Sequence, residues 1–250
     1  MRFMEICCGD AGDAFEAYQG GAGRVELCSA LEAGGLTPGP GTVQQVIEEC
    51  PGMDVNVLVR PRKGDFVYSR REIQVMEKDI AYFRKAGAHG VVFGALTPEG
   101  EIDTEACKRL LVVAKDGPGP LSCTFHRAFD VCRDPFAALE EIISLGFDTI
   151  LTSGQKAGAE EGTALIRKLV KAAAGRIVIM PGAGINPENI SRIEAATGAR
   201  EFHSSASRST SPKPVRTNPA VDFSEMEPCR RTDRAIVRKL TGSPEDILSA

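Results

Sequence analysis

The chain has 250 residues, 42% of them hydrophobic, with 30 Lys and Arg against 34 Asp and Glu and a net charge of −4. That length and apolar content support one large core and exclude a disordered chain, while a pI near 5.6 supplies no basic field for nucleic acid or an anionic membrane. Glu5 and Asp10 come too early for a secretory signal, and no apolar stretch approaches the roughly 18 residues that span a bilayer, so a cytoplasmic protein is expected. The eight cysteines include no CxxC pair and, in a reducing compartment, read mostly as small hydrophobes; Cys7 and Cys28 are set apart by position.

Strand-like and helix-like segments alternate from the start. Strand 3–8 precedes helix 10–20, 24–28 precedes 41–50, 54–60 precedes 71–85, and 90–93 precedes 104–115. The rhythm continues with 121–126 before 135–145, 149–152 before 161–173 and 176–180 before 187–196, closing with strand 201–204 and helix 233–240. Eight β/α units predict a TIM-type (β/α)8 barrel, a single domain over 1–250. An open doubly wound sheet uses the same units, but no GxGxxG follows the first strand. Asn186 then Pro187 reads as an N-cap and first helical residue, and VMEKDIAYF sets Val75, Met76, Ile80 and Phe83 on or near one stripe. Residues 206–231, rich in Ser, Pro and Arg, read as an irregular long loop: a lid, an arm to another subunit, or a disordered stretch, its charges those of a solvated loop.

Side-chain alternation puts Glu5 and Cys7, Arg24, Glu26 and Cys28, Asn56, Leu58 and Arg60, Thr124 and His126, and Glu201 and His203 on the inward strand faces. Burying Glu5, Glu26 and Arg60 unpaired would cost roughly several kcal/mol each, so they pair across the barrel or face a wet mouth. Arg24, Glu5, Glu26 and Glu201 suit an ion-pair layer in the N-terminal half. Cys7, Cys28, Arg60, His126 and His203 end their strands and so fall at the C-terminal mouth, where barrel active sites lie. Turns at 151–155, 180–186 and 203–206, the first two glycine-bearing, offer backbone N–H groups to an anion, with Arg60 or Arg62 beside it. Two thiols and an imidazole on strands one, two and eight, consecutive around a closed barrel, favour Cu(I) or Zn(II) over hard cations.

The segments MEICC, RVELCSALEAGGLTPG, VLVRPRKGDFVYS, VVFGAL, TFHRAFD, LTSGQ, PGAGIN and EFHSSA, in this order between residues 1 and 207, resemble the CutC family of copper homeostasis proteins. The resemblance implies a TIM-type barrel, cytosolic copper handling, and Cu(I) on Cys7 and Cys28. Ala183 replaces the middle glycine of the family's PGGGI, leaving Gly182 and Gly184 in place. The retained Arg60, Arg62, His126, Arg127 and Asp130 look instead like the equipment of an enzyme for a small anionic molecule, which a copper carrier does not need. Two readings follow. The first is a copper-binding protein with Cys7 and Cys28 as metal ligands. The second is an enzyme with His126 as general acid or base, Glu5 or Asp130 orienting it, and a phosphate or carboxylate ligand held by Arg60, Arg62, Arg127, Ser153, Gly154, Gly182, Gly184, His203 and Ser204. A third possibility is an interaction scaffold using the 206–231 loop, and a homo-oligomer is expected because barrels commonly pair through exposed helices or loops.

Overall fold

The computed structural model describes residues 2–117, 119–211 and 229–242. Its strands are β1 (Phe3–Cys8), β2 (Arg24–Leu27), β3 (Asp54–Leu58), β4 (Gly90–Phe93), β5 (Ser122–Phe125), β6 (Thr149–Thr152), β7 (Val178–Pro181) and β8 (Glu201–Ser204). All pair parallel in the order β7-β6-β5-β4-β3-β2-β1-β8, and β7 lies beside β8, so the sheet is a nearly closed barrel. Around it run α1 (Ala11–Gln19), α2 (Pro40–Glu49), α3 (Arg70–Ala86), α4 (Thr104–Lys115), α5 (Pro135–Leu145), α6 (Thr163–Ala173), α7 (Ile190–Thr197) and α8 (Arg234–Thr241). None of these helices is long and apolar enough to cross a membrane.

The core is the shell between strands and helices. Met4, Ile6, Val25, Leu27, Val55, Val57 and Phe202, the outward set of the alternation, are buried there with helix residues such as Leu110, Ile142 and Leu169. Each such side chain contributes about 1.5–3 kcal/mol by leaving water. On α3, Met76, Ile80 and Phe83 follow the i, i+4, i+7 stripe and are buried, whereas Val75, a 100° step away, is 48% exposed. Ser69 and Glu72 close a capping box at its start, and Gly87, at φ 91, ends it in a conformation that a β-carbon would strain. Inside the barrel the apolar cluster is small: Cys28, Leu58 and Val92, with Cys7 and Leu31 packed on it.

Two local expectations differ from the structure. Asn186 caps a turn rather than α7: its Oδ1 accepts the N–H groups of Glu188 and Asn189, and the helix starts at Ile190. The stretch read as an irregular loop pairs at its ends, β9 (Ser207–Thr210) running antiparallel to β10 (Cys229–Thr232). Polar residues at every position but Cys229 hide such a ribbon from apolar patterning. It is pinned where β1 leads into α1, because Arg231 donates to Asp10 and Asp13 at 2.8 and 2.9 Å and the Thr232 N–H donates to Asp13. Residues 212–228 of the expected loop, including Lys213 and Arg216, lie outside the described residues.

Candidate functional site

The inward residues stack in layers. In the lower layer the fully buried Glu5 carboxylate accepts from Arg24 Nε at 2.7 Å and Asn56 Nδ2 at 3.3 Å, while its other oxygen lies 2.8 Å from His203 Nδ1. Arg24 also reaches Glu201 at 2.6 Å. These are three of the four residues expected in an ion-pair layer. Glu26 is not the fourth: lying two positions beyond Arg24, about 6.6 Å further up the strand, it registers with Cys7. Its Oε2 lies 3.5 Å from Cys28 Sγ and 3.6 Å from His203 Nε2.

The layer above holds the thiols, with Cys7 Sγ 3.9 Å from Cys28 Sγ. Hydrogen bonding with Cys28 brings Cys7 down to about 5 against the opposing effect of burial, and His203 assists, so Cys7 is a thiolate at neutral pH. The same contact with Cys7, together with burial, pushes Cys28 up. Burial and then the Cys7 charge push Glu26 up. For His203, burial opposes the charged form but is outweighed by Glu26, Cys7 and Glu5, so its pKa is raised. For Glu5, burial is outweighed by the His203 hydrogen bond and the Arg24 charge, so its pKa is lowered. Cys7 and Glu5 are thus shifted toward their charged forms by the same neighbours that are shifted upward.

The remaining expected site residues distribute unevenly. His126 is buried, its Nδ1 accepting the Ala128 N–H at 3.3 Å and its ring 4.9 Å from that of Phe66. Burial and the Arg60 charge bring it down to about 3, so it is neutral at physiological pH. Neither Glu5 nor Asp130 orients it as expected: Glu5 is taken by His203, Arg24 and Asn56, and Asp130 by the β6 turn. Arg60 spends one terminal nitrogen on the carbonyls of Ala33, Gly34 and Gly35 and the other on Gly64. Arg62 is drawn away from the mouth, to Asp65, Glu72 and the Val67 carbonyl.

The turn after β6, expected to hold an external anion, already holds one of the chain's own. Asp130 accepts from Thr152 Oγ1, the Ser153 N–H at 2.9 Å and the Gln155 N–H at 3.2 Å, with Arg127 Nε at 2.8 Å completing its shell. Arg127 also donates to Ser153 Oγ, which leaves Ser153 occupied, and Gly154 packs so closely on Gly162 that a β-carbon would sit 2.4 Å from its carbonyl oxygen. The β7 turn differs. At Gly182 a β-carbon would fall 2.5 Å from Leu151, so glycine lets this turn close over the barrel. Gly184 lines the mouth. Ser204 donates to the Ile185 carbonyl at 2.7 Å and ties the end of β8 to that turn.

A cavity of about 1260 Å³ at the mouth is lined by Cys7, Glu26, Cys28 and His203 and by Arg60, Phe66 and His126. Phe66 is a lining residue that sequence does not single out; an aromatic ring within the charged segment RPRKGDFVYS is the available signal. Donor atoms of Cys7, Glu26 and Cys28 lie within 4.8 Å of one another, a set that suits a soft ion. Cys7 and Cys28, with sulfurs 3.9 Å apart, are the residues that would hold such an ion, both supplying sulfur.

The CutC family model matches residues 2–208. The chain belongs to the CutC family. It is 52% identical over 205 residues to a CutC family protein of Parabacteroides distasonis, covering 82% of this chain and 83% of that protein. It is 46% identical over 251 residues to the human copper homeostasis protein cutC homolog, covering 98% and 90%. The solved CutC structure from Streptococcus agalactiae superposes with a TM-score of 0.77 at 34% identity, covering 82% of this chain and 99% of that one. In this CutC chain the MEICC and RVELC segments that carry the resemblance are the ones that bring Cys7 and Cys28 together.

Proposed function

We propose that this CutC protein binds Cu(I) in the cytosol, with Cys7 and Cys28 as the metal ligands and the Glu26 carboxyl as the nearest further donor. The observation that carries the reading is the sulfur pair at 3.9 Å, opening on the barrel mouth with one member already a thiolate. Two soft sulfurs with a low number of further donors match Cu(I) better than a hard cation. All eight cysteines are free, which accords with a reducing compartment. Membership of a copper homeostasis family supplies the same direction independently.

Competition against a chromophoric Cu(I) chelator, under anaerobic reducing conditions, tests the reading. The wild-type chain is expected to withdraw one Cu(I), and the Cys7→Ala, Cys28→Ala double variant to withdraw none. Equal withdrawal by both would remove the assignment.

A further inference from the structure

A histidine that holds a metal aims one ring nitrogen at the ion and has the other held by a carboxylate, a carbonyl or water. His203 meets both conditions beside the thiols. Strand register sets the first contact: β8 pairs with β1 at Glu5 and His203, so the two side chains start on the same face of the sheet, in the same layer. His203 Nδ1 lies 2.8 Å from Glu5 Oε1. The other Glu5 oxygen is taken by Arg24 Nε at 2.7 Å and Asn56 Nδ2 at 3.3 Å, which fixes the carboxylate and leaves Oε1 to His203. An ionised carboxylate only accepts, so Nδ1 is the nitrogen that donates to Glu5.

The opposite edge of the ring faces the layer above. His203 Nε2 lies 3.6 Å from Glu26 Oε2, the oxygen that Cys28 Sγ approaches to 3.5 Å, and a hydrogen bond joins the imidazole to Cys7. Cys7, Glu26, Cys28 and His203 all line the cavity, so an ion entering by the mouth meets all four. Glu26 has the nearest further donor atom to the sulfur pair. Donor chemistry nevertheless ranks the imidazole ahead of it, because carboxylate oxygen suits hard cations and imidazole nitrogen suits copper. The lower layer gains a purpose from the same geometry. Burying the Glu5 charge is costly, and a carboxylate held behind a metal-binding imidazole fixes the ring's orientation and raises its basicity.

We infer that His203 Nε2 is the third ligand of the ion held by Cys7 and Cys28, with Glu5 as the positioning residue behind it; this rests on the copper reading above. Coordination exchanges protons for metal. The Cys28 S–H and His203 Nε2–H bonds break, bonds to copper form from the lone pairs left on the same atoms, the protons leave to water through the mouth, and copper stays Cu(I).

The chain contains three histidines, so imidazole nitrogen spectra of the full chain labelled with 15N-histidine resolve His203 directly. Spectra are taken metal-free and with one equivalent of Cu(I), under anaerobic reducing conditions, and X-ray absorption on the loaded sample counts the sulfur neighbours. The expected result is two sulfurs, an Nε2 resonance of His203 that moves on loading, and an Nδ1 that keeps its proton throughout. His203→Gln is expected to hold Cu(I) at least about tenfold more weakly in chelator competition, and Glu5→Gln about tenfold more weakly with His203 still on the metal, the size of effect that an outer partner of a ligand has. Two sulfurs with an unmoved Nε2 resonance would overturn the inference and leave the copper reading standing, as would a His203→Gln variant of unchanged affinity. A loaded chain with no sulfur neighbour would overturn both.

Discussion

Around Cys7 the inward residues of β1, β2 and β8 satisfy one another: Glu5 bridges Arg24 and His203, His203 faces Glu26, and Glu26 and Cys28 close on the thiolate. Around Arg60, after the end of the neighbouring β3, three buried polar atoms, Arg60 Nε, Tyr68 Oη and His126 Nε2, have no hydrogen-bond partner among the described residues. The first group is polar because barrel parity turns alternate side chains of β1, β2 and β8 toward the axis. The two groups differ because the first is drawn from hydrogen-bonded neighbouring strands, whose register sets acids against bases, whereas the second is assembled from residues beyond strand ends. Register closes a network; loops leave one open. The closed group carries the paired sulfurs, and the open group carries the unpaired buried polar atoms.

The sharpest way to break this contrast is to unbalance the closed group. Glu5→Ala leaves Arg24 and His203 buried without their shared carboxylate and is expected to cost about 3–5 kcal/mol in urea denaturation. The effect is pH-dependent with a definite sign. Glu5, lowered from 4.5, contributes stability above that value and loses it as pH falls through the lowered one. His203, raised from 6.5, contributes below that value and loses it as pH rises through the raised one. The gap between wild type and variant is therefore widest between 4.5 and 6.5 and narrows on either side. A gap independent of pH would mean that the pair is not the source.

A smaller effect tests the β6 turn, which belongs to neither group because its anion is internal. Asp130→Ala removes the acceptor for the Thr152 hydroxyl and the Ser153 and Gln155 amides. It is expected to destabilise the chain by about 1–3 kcal/mol while leaving Cu(I) withdrawal unchanged. Loss of metal binding without loss of stability would instead connect this turn to the thiols.

Much of the closed group was legible from alternation alone, because a strand's side-chain period is strict. Cys7, Cys28 and His203 converge as their positions at three consecutive strand ends require. The height of Glu26 was not legible, since the stagger between strands is a property of the closed sheet and not of any one segment. Arg60 and Arg62 read alike in sequence, and only the paths of the following turns send one inward and the other to Asp65 and Glu72. Asp130 read as a partner for His126 at four residues' distance, yet it turns to the neighbouring strand's amides, which offer more donors than one buried ring. The β9 and β10 ribbon had no apolar period to announce it, and its anchor, Arg231 on Asp10 and Asp13, joins residues more than 200 positions apart.

X-ray absorption at the copper edge, on the full chain loaded with one equivalent of Cu(I) under reducing conditions, addresses the paired thiols most directly. Two sulfur neighbours are predicted, with the sulfur signal lost in Cys7→Ser, Cys28→Ser. Copper surrounded by nitrogen and oxygen alone in the wild-type chain would contradict the assignment.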